Sequence, residues 1–388
     1  MYITDSEDLA AFAERISTSK LIAIDTEFMR EKTYYARLCL LQVGTADEVA
    51  AIDPFTVGDL SPLWRVLERA DVTKVFHAGG QDIEILYRIM GTTPAPVFDT
   101  QVAATLVGQP SQVGYGQLVN AVLGVELNKG DSYTDWAARP LKQTQIEYAL
   151  NDVRYLPEIY TRLHHQLVAD GRLAWLAEDF ERMADPATYD VIPEEQWRRV
   201  KRASSLDRAA LAVLRSVAAW REREAQRRDL PKRWVLSDES LIEVARRAPT
   251  STVELTAIRG VGDRAAGRFS EGIIAAVGEG LQVPEEDRPR LPKKRRSGKG
   301  SAQLADLLGV VVRVRAREHG VAPTLLATRD DLDSFADGER EGNALMYGWR
   351  HSLVGAELEA LVRGEISLRV SDGDVVIEHR APYVSDKE

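Results

Sequence analysis

Two carboxylates, Asp25 and Glu27, stand two positions apart at the end of the apolar run LIAIDTEF. An extended run of this kind is buried up to its end, and unpaired carboxylates there are costly unless something satisfies them. In a strand both side chains fall on one side of the sheet. The chain must therefore bring further elements to that strand end. The surrounding pattern supplies them. RLCLLQVGT (37–45), EVAAID (48–53) and KVFHA (74–78) are short apolar runs, with Gly44 and Asp47 marking a turn. LSPLWRVLERA and QDIEILYRIMG carry helical spacing, the second ending at Gly91, and Asp5 or Ser6 caps a first helix through about Ile16. VFDTQVAATLVG begins extended and turns helical, and helical spacing dominates from Gln143 to about Ala184. Antiparallel pairing followed by strands alternating with helices predicts an α/β fold with a mixed sheet.

Three more residues fall at comparable element edges. Asp82 follows the run FHAGG and opens a helix, while Tyr148 and Asp152 in YALND are four apart and share a helix face. Taken singly, Asp25 reads as a strand-end turn residue, Asp82 as a helix cap and Tyr148 as a core aromatic. Acids that converge from separate elements repel each other unless cations sit among them, and hard divalent cations bridging to phosphate are the usual solution. Two such ions clamp an in-line displacement at phosphorus and make hydroxide available near neutral pH. The set predicts a site that cleaves phosphodiesters, with Tyr148 orienting water by a hydrogen bond.

At 388 residues the chain exceeds one ordinary domain. Its formal charge of −10 argues against a polyanionic partner, but the charge is unevenly spread. Residues 1–190 hold 16 Lys and Arg against 28 Asp and Glu, residues 191–301 hold 24 against 16, and residues 302–388 hold 10 against 16. An acidic body with a basic middle fits a metal site plus a handle for a polyanion, and ordinary solvated helix faces account equally well for the charge alone. A break at ADPATYDVIP (184–193) separates units over residues 1–190 and 197–282, the latter helical throughout. VPEEDRPRLPKKRRSGKGS (283–301) reads as a basic flexible linker whose KKRR run is solvated, with phosphate contact the alternative. Residues 302–380 form a last, net-acidic unit closed by a hairpin about Asp372-Gly373. Cys39, the single cysteine, is expected in the core and excludes an intrachain disulfide. No segment is long and apolar enough for a membrane span and the N-terminus has no signal-like h-region, so a cytoplasmic location is expected.

DTEF after an apolar strand, an aspartate within HAGGQD, and Tyr-x-x-x-Asp on a helix, in this order, resemble the DEDD exonuclease superfamily, in its branch with tyrosine. The sister branch has a histidine five residues before the last aspartate, where this chain has Glu147. FMREKTYYARLCLLQVG, FHAGGQDIEIL, VFDTQVAATL and YALNDVRYLPEIY narrow the resemblance to the nuclease domain of the ribonuclease D family over residues 1 to about 170. Gly80-Gln81 replaces a Ser-Glu common in that family and leaves the acids intact. The resemblance implies a ribonuclease H-like exonuclease domain acting 3′→5′ on RNA with two Mg²⁺ or Mn²⁺ ions. Asp25, Glu27 and Asp152 would hold the nucleophile-side metal, Asp25 with Asp82 the second, and Tyr148 the attacking water. Thr26, Phe28, Met29 and His77 become candidate contacts to the terminal nucleotide or phosphate, against core roles for Phe28 and His77.

The helical middle, with WREREAQRRDLPKRW, VLSDESLIEVA and IRGVG, resembles the HRDC domain, and the order nuclease then HRDC is the ribonuclease D arrangement. Arg198, Arg199, Lys201, Arg202, Arg227, Arg228, Lys232 and Arg233 are its candidate phosphate contacts. Gly260 and Gly262 offer backbone amides for a phosphate, or pack a helix–turn–helix. Residues 302–380 are read as a second HRDC-like domain, or as a unit that docks the nuclease domain or a partner instead of RNA. The expected partner is RNA with single-stranded 3′ ends, tRNA precursors among them, engaged by a monomer. A 3′→5′ DNA exonuclease and a non-catalytic nucleic-acid-binding protein with a nuclease fold are the alternatives. The helical part is expected to be a separable handle, so that removing residues 197–388 weakens binding yet spares cleavage of short substrates.

Overall fold

The computed structural model describes residues 1–127, 134–258, 260–261, 263–291 and 301–379. Six strands form one mixed sheet: β1 (Tyr2–Ile3), β2 (Leu21–Met29), β3 (Arg37–Gly44), β4 (Val49–Ile52), β5 (Thr73–Phe76) and β6 (Val97–Asp99). They lie in the order β1-β4-β3-β2-β5-β6. β2–β3 and β3–β4 pair antiparallel, while β1–β4, β2–β5 and β5–β6 pair parallel. β3 is buried along its whole length after Arg37, as a near-continuous apolar strand covered on both faces should be.

Helix α1 (Ser6–Ile16), capped by Asp5, and helix α2 (Gly80–Met90), ended by left-handed Gly91, cover one face. Leu9, Phe12, Ile24, Leu41, Phe76 and Ile83 fill that layer. Helices α3 (Gln143–Arg154) and α4 (Leu156–Ala169) cover the other, where Ala23, Val75, Val153 and Ile159 meet. The register of β2 on β3 slips between Glu27 and Phe28, skipping Cys39 and bending the strand end where the acids sit.

The basic middle folds around its own core. Helices α5 (Arg208–Arg228), α6 (Asp238–Arg247) and α7 (Asp263–Leu281) pack through Leu214, Val217, Leu241, Val244, Ile273 and Val277. α5 and α7 approach so closely that a Cβ on Gly280 would stand 2.5 Å from the Val213 Cα. The C-terminal region is not set apart in this way. Leu308, Val311 and Val312 of helix α8 (Ser301–His319), with Phe335 and Leu358, join the same core as Val75, Val153 and Ile159. Arg172 donates to the carbonyls of Leu106 (2.7 Å) and His319 (2.6 Å), and Trp175 stacks on Trp349 at 4.8 Å. The closing hairpin pairs Ile366–Ser371 with Asp374–His379, with Asp372 and Gly373 both at positive φ in its turn. The linker's KKRR run lies outside the described residues.

One buried ion pair ties the segment leading into α3 to the sheet. Asp53, fully buried just after β4, takes the Arg139 guanidinium at 2.5 Å and the Tyr2 hydroxyl at 2.7 Å. Arg139 also donates to the Cys39 carbonyl at 2.7 Å. Burial raises the Asp53 carboxyl, but these hydrogen bonds outweigh it and leave the group below the ordinary carboxylate range. Arg139→Met strands this carboxylate, so the urea midpoint should fall by the equivalent of about 3 kcal/mol. An unchanged midpoint would show that Tyr2 alone satisfies Asp53.

Candidate active site

The strand end, the start of α2 and the middle of α3 converge on a cleft of about 290 Å³ lined by Asp25, Thr26, Glu27, Phe28, His77, Gln81, Asp82, Tyr115, Tyr148 and Asp152. Asp25, Glu27 and Asp152 each turn one carboxylate oxygen to within 4.8 Å of the others. The helical spacing of Tyr148 and Asp152 brings both to the cleft, one turn apart on the same helix face. Asp82, in the first turn of α2, accepts a hydrogen bond from the Thr26 hydroxyl, which links β2 to α2 directly.

These acids resist ionisation. Burial first, and then the charges of Asp82, Asp152 and Glu27, raise the Asp25 carboxyl well above its ordinary value. Burial followed by Asp152 and Asp82 lifts Glu27 to about 8, and burial lifts Asp152 to about 7. Asp82 reaches about 6, its burial partly offset by the Thr26 hydroxyl. No Lys or Arg is among the described residues lining the cleft. A set of oxygen donors that repel one another, with no basic side chain between them, has the donor chemistry of a hard divalent cation site.

Behind the acids, Asp99 shapes the turn that starts α2. It is buried and accepts from the amides of Ala78 (3.2 Å), Gly79 (2.8 Å), Gln101 (2.8 Å) and Val102 (3.2 Å). Ala78 is held at φ 57, and a Cβ on Gly79 would lie 2.4 Å from the Phe76 side chain, so the position requires glycine. Asp99 was not singled out in the sequence, although its FDT setting repeats the Asp-Thr of β2. Tyr115 also lines the cleft without a motif of its own in the sequence, and Gln81 enters the sequence reading only as a departure from Ser-Glu. The Tyr115 hydroxyl donates to the Asn151 carbonyl at 2.8 Å, beside Asp152, and only an aromatic in a glycine-rich helix start signals it.

Other sequence candidates are placed differently. Met29 does not line the cleft and packs toward Cys39 and Leu40 instead. His77 faces the cleft, but its ring nitrogens meet the Thr100 hydroxyl at 2.9 Å and the Val113 carbonyl at 3.0 Å, leaving neither for phosphate. Arg198, Arg202, Lys232 and Gly260 all lie away from the cleft, on the helical middle or the segment leading into it. Arg198 pairs with Glu195, Lys232 lies 3.2 Å from Glu222, and Arg202 is exposed at φ 67. Gly260, at φ 91, accepts from the Ser240 hydroxyl at 2.9 Å through its carbonyl, and Gly262 lies outside the described residues.

Residues 1–168 match the 3′-5′ exonuclease family and residues 210–277 match the HRDC domain, which defines the class: an exonuclease with an attached helical module. Ribonuclease D of Sphingobium indicum is 44% identical over 375 residues, covering 96% of both chains. Ribonuclease D of Granulibacter bethesdensis is 42% identical, covering 95% of this chain and 94% of that one. The crystal structure of Escherichia coli RNase D, an exoribonuclease involved in structured RNA processing, superposes with a TM-score of 0.81 at 31% identity, covering 94% of this chain and 98% of that one. The chain belongs to the ribonuclease D family, and is a hydrolytic 3′-5′ exoribonuclease.

The raised acids make the metal-free fold sensitive to pH. Their folded values exceed the unfolded ones, so protonation favours the native state. That stability is fully present below about pH 4 and is lost as pH rises through about 6 to 8. In EDTA, Tm should fall between roughly pH 5 and pH 9, Asp25→Asn should flatten the fall, and Mn²⁺ should restore Tm in the unsubstituted protein only. A flat profile without metal would mean that the acids carry no mutual strain.

Proposed function

We propose that this exoribonuclease removes nucleotides one at a time from single-stranded 3′ ends of structured RNA, tRNA precursors among them, as a cytoplasmic monomer. The observation that carries the reading is the convergence of three carboxylates, with Asp82 and Tyr148 alongside, in one cleft. The sequence division into a nuclease unit (1–190), an HRDC unit (197–282) and a C-terminal unit (302–380) supplies the working parts.

Asp25, Glu27 and Asp152 are the ligands proposed for one divalent cation, and Asp25 with Asp82 those for a second, Mg²⁺ or Mn²⁺. When bound, such ions supply Lewis acidity toward the phosphoryl group and lower the pKa of water to near neutrality. Tyr148 is kept protonated by burial first and then by the charges of Asp152, Glu27 and Asp25. The oxygen lone pairs of its protonated hydroxyl are free to accept from the attacking water and orient it, so the phenol need not take a proton. Phe28, partly buried at the cleft, offers a ring face to the terminal base. Thr26 offers backbone groups to the terminal ribose, where contact to the 2′-hydroxyl would favour RNA over DNA. Exposed Arg202 is the proposed phosphate contact of the helical part.

Matched RNA and DNA strands, labelled at either end and digested with Mg²⁺ or Mn²⁺, test this directly. Mononucleotides released from the 3′ end of RNA, with slower loss from DNA, are expected; equal rates would remove the ribose reading. Tyr148→Phe should lower kcat by about 10²-fold while RNA affinity changes less than about threefold. Equal losses in both would make the tyrosine structural.

A further inference from the structure

β2 ends at Met29 and β3 begins at Arg37, and the loop of residues 30–36 between them leans on the helical middle. The amides of Tyr34 and Tyr35 both donate to one oxygen of Asp229, each at 3.0 Å. The Tyr34 ring is buried among the helical core residues, its hydroxyl bonded to Glu222 and reached by Gln226 at 3.2 Å. The same loop reaches back to α2, which carries Asp82. Arg30 donates to the Tyr34 carbonyl at 3.1 Å and pairs with Glu84 at 3.4 Å, and the Arg88 guanidinium lies 4.2 Å over the Tyr35 ring. Arg30 stands three residues beyond Glu27, and Glu84 two beyond Asp82. The loop therefore cross-links two of the three acid-bearing elements, β2 and α2, and is itself fixed from the helical side.

Asp229 is a poor local choice. It ends α5 at φ 49, where glycine or asparagine is favoured, and it sets a carboxylate against the negative end of the helix dipole. Two loop amides offset that penalty, and nothing within α5 requires the acid. The Arg30–Glu84 pair is partly exposed and weak by itself.

We infer that Asp229 is a positioning residue of the nuclease site: through the loop of residues 30–36 it sets the spacing of Asp25 and Glu27 against Asp82. The helical domain is then part of the catalytic apparatus and not a detachable handle, contrary to the expectation drawn from the sequence. This inference rests on the metal-binding and hydrolytic reading of the cleft.

Asp229→Gly relieves the local backbone and dipole penalties while deleting the acceptor, and Asp229→Asn keeps both an acceptor oxygen and tolerance of positive φ. In the full chain, Asp229→Gly should lower kcat on a trinucleotide RNA about tenfold with KM within about twofold. It should also weaken Mn²⁺ binding, read by calorimetry without RNA, about fivefold, and speed amide exchange over residues 30–36. Asp229→Asn should restore all three. Wild-type Mn²⁺ affinity and kcat in Asp229→Gly would overturn the inference, as would equal losses in both variants. A wild-type chain that binds Mn²⁺ but leaves RNA intact would overturn the functional reading instead, with the Mn²⁺ arm still deciding the role of Asp229.

Discussion

The mutual repulsion of Asp25, Glu27, Asp82 and Asp152 is the constraint around which the nuclease half is arranged. Burial pushes these groups up to about 6 to 8, with the charges of Asp152 and Asp82 adding to it at Glu27, so they do not stay together of their own accord. They are held by elements stable for other reasons: a β2 strand paired on both sides, an α2 helix whose start is clamped by Asp99, and an α3 helix whose leading segment is tied down through Arg139 and Asp53. Apolar burial on both faces of the sheet supplies the stability that the site spends. The same repulsion creates the affinity for cations, since a site strained when empty of positive charge binds it more tightly.

The supports differ in kind. Asp53 and Asp99 are buried acids that work as acceptors, one for a guanidinium and the other for four amides, and both replace water by fixed donors. Gln42, the cross-strand partner of Asp25, is fully buried with neither amide atom bonded to protein, and this exception lies directly beside the acids. Polar groups left unmet inside a sheet are uncommon away from functional sites.

Much of this was legible in the sequence, for a local reason. Strand alternation sets Asp25 beside Glu27, and helical spacing sets Tyr148 beside Asp152, so the residues that matter share an element with their partners. The strands and helices around them followed from periodicity, with β2 running four residues past LIAID to Met29. What escaped depends on distant pairs. Tyr34 and Asp229 stand 195 positions apart, and neither is unusual in its own segment. For His77 a core role and a phosphate contact both stood open, and the choice depends on Thr100 and Val113, which arrive from other segments to occupy its ring. Met29 packs toward Cys39 and Leu40, residues of the neighbouring strand that its own segment does not reveal. Asp99 was hidden because a buried acid that collects amides has the same letter as a turn residue.

The core shared by the two ends of the chain has a consequence for synthesis. Val75 and Ile159 emerge from the ribosome long before Val311, Phe335 and Leu358, which complete the cluster they belong to. Until then an apolar face of the nuclease half stays wet, and the contacts that close it are among the most distant in sequence. The basic helical domain, whose core draws on residues 197–277 apart from one tyrosine, can condense in the interval. Order of synthesis thus lets the middle fold while the beginning of the chain still lacks the residues of its end to pack against.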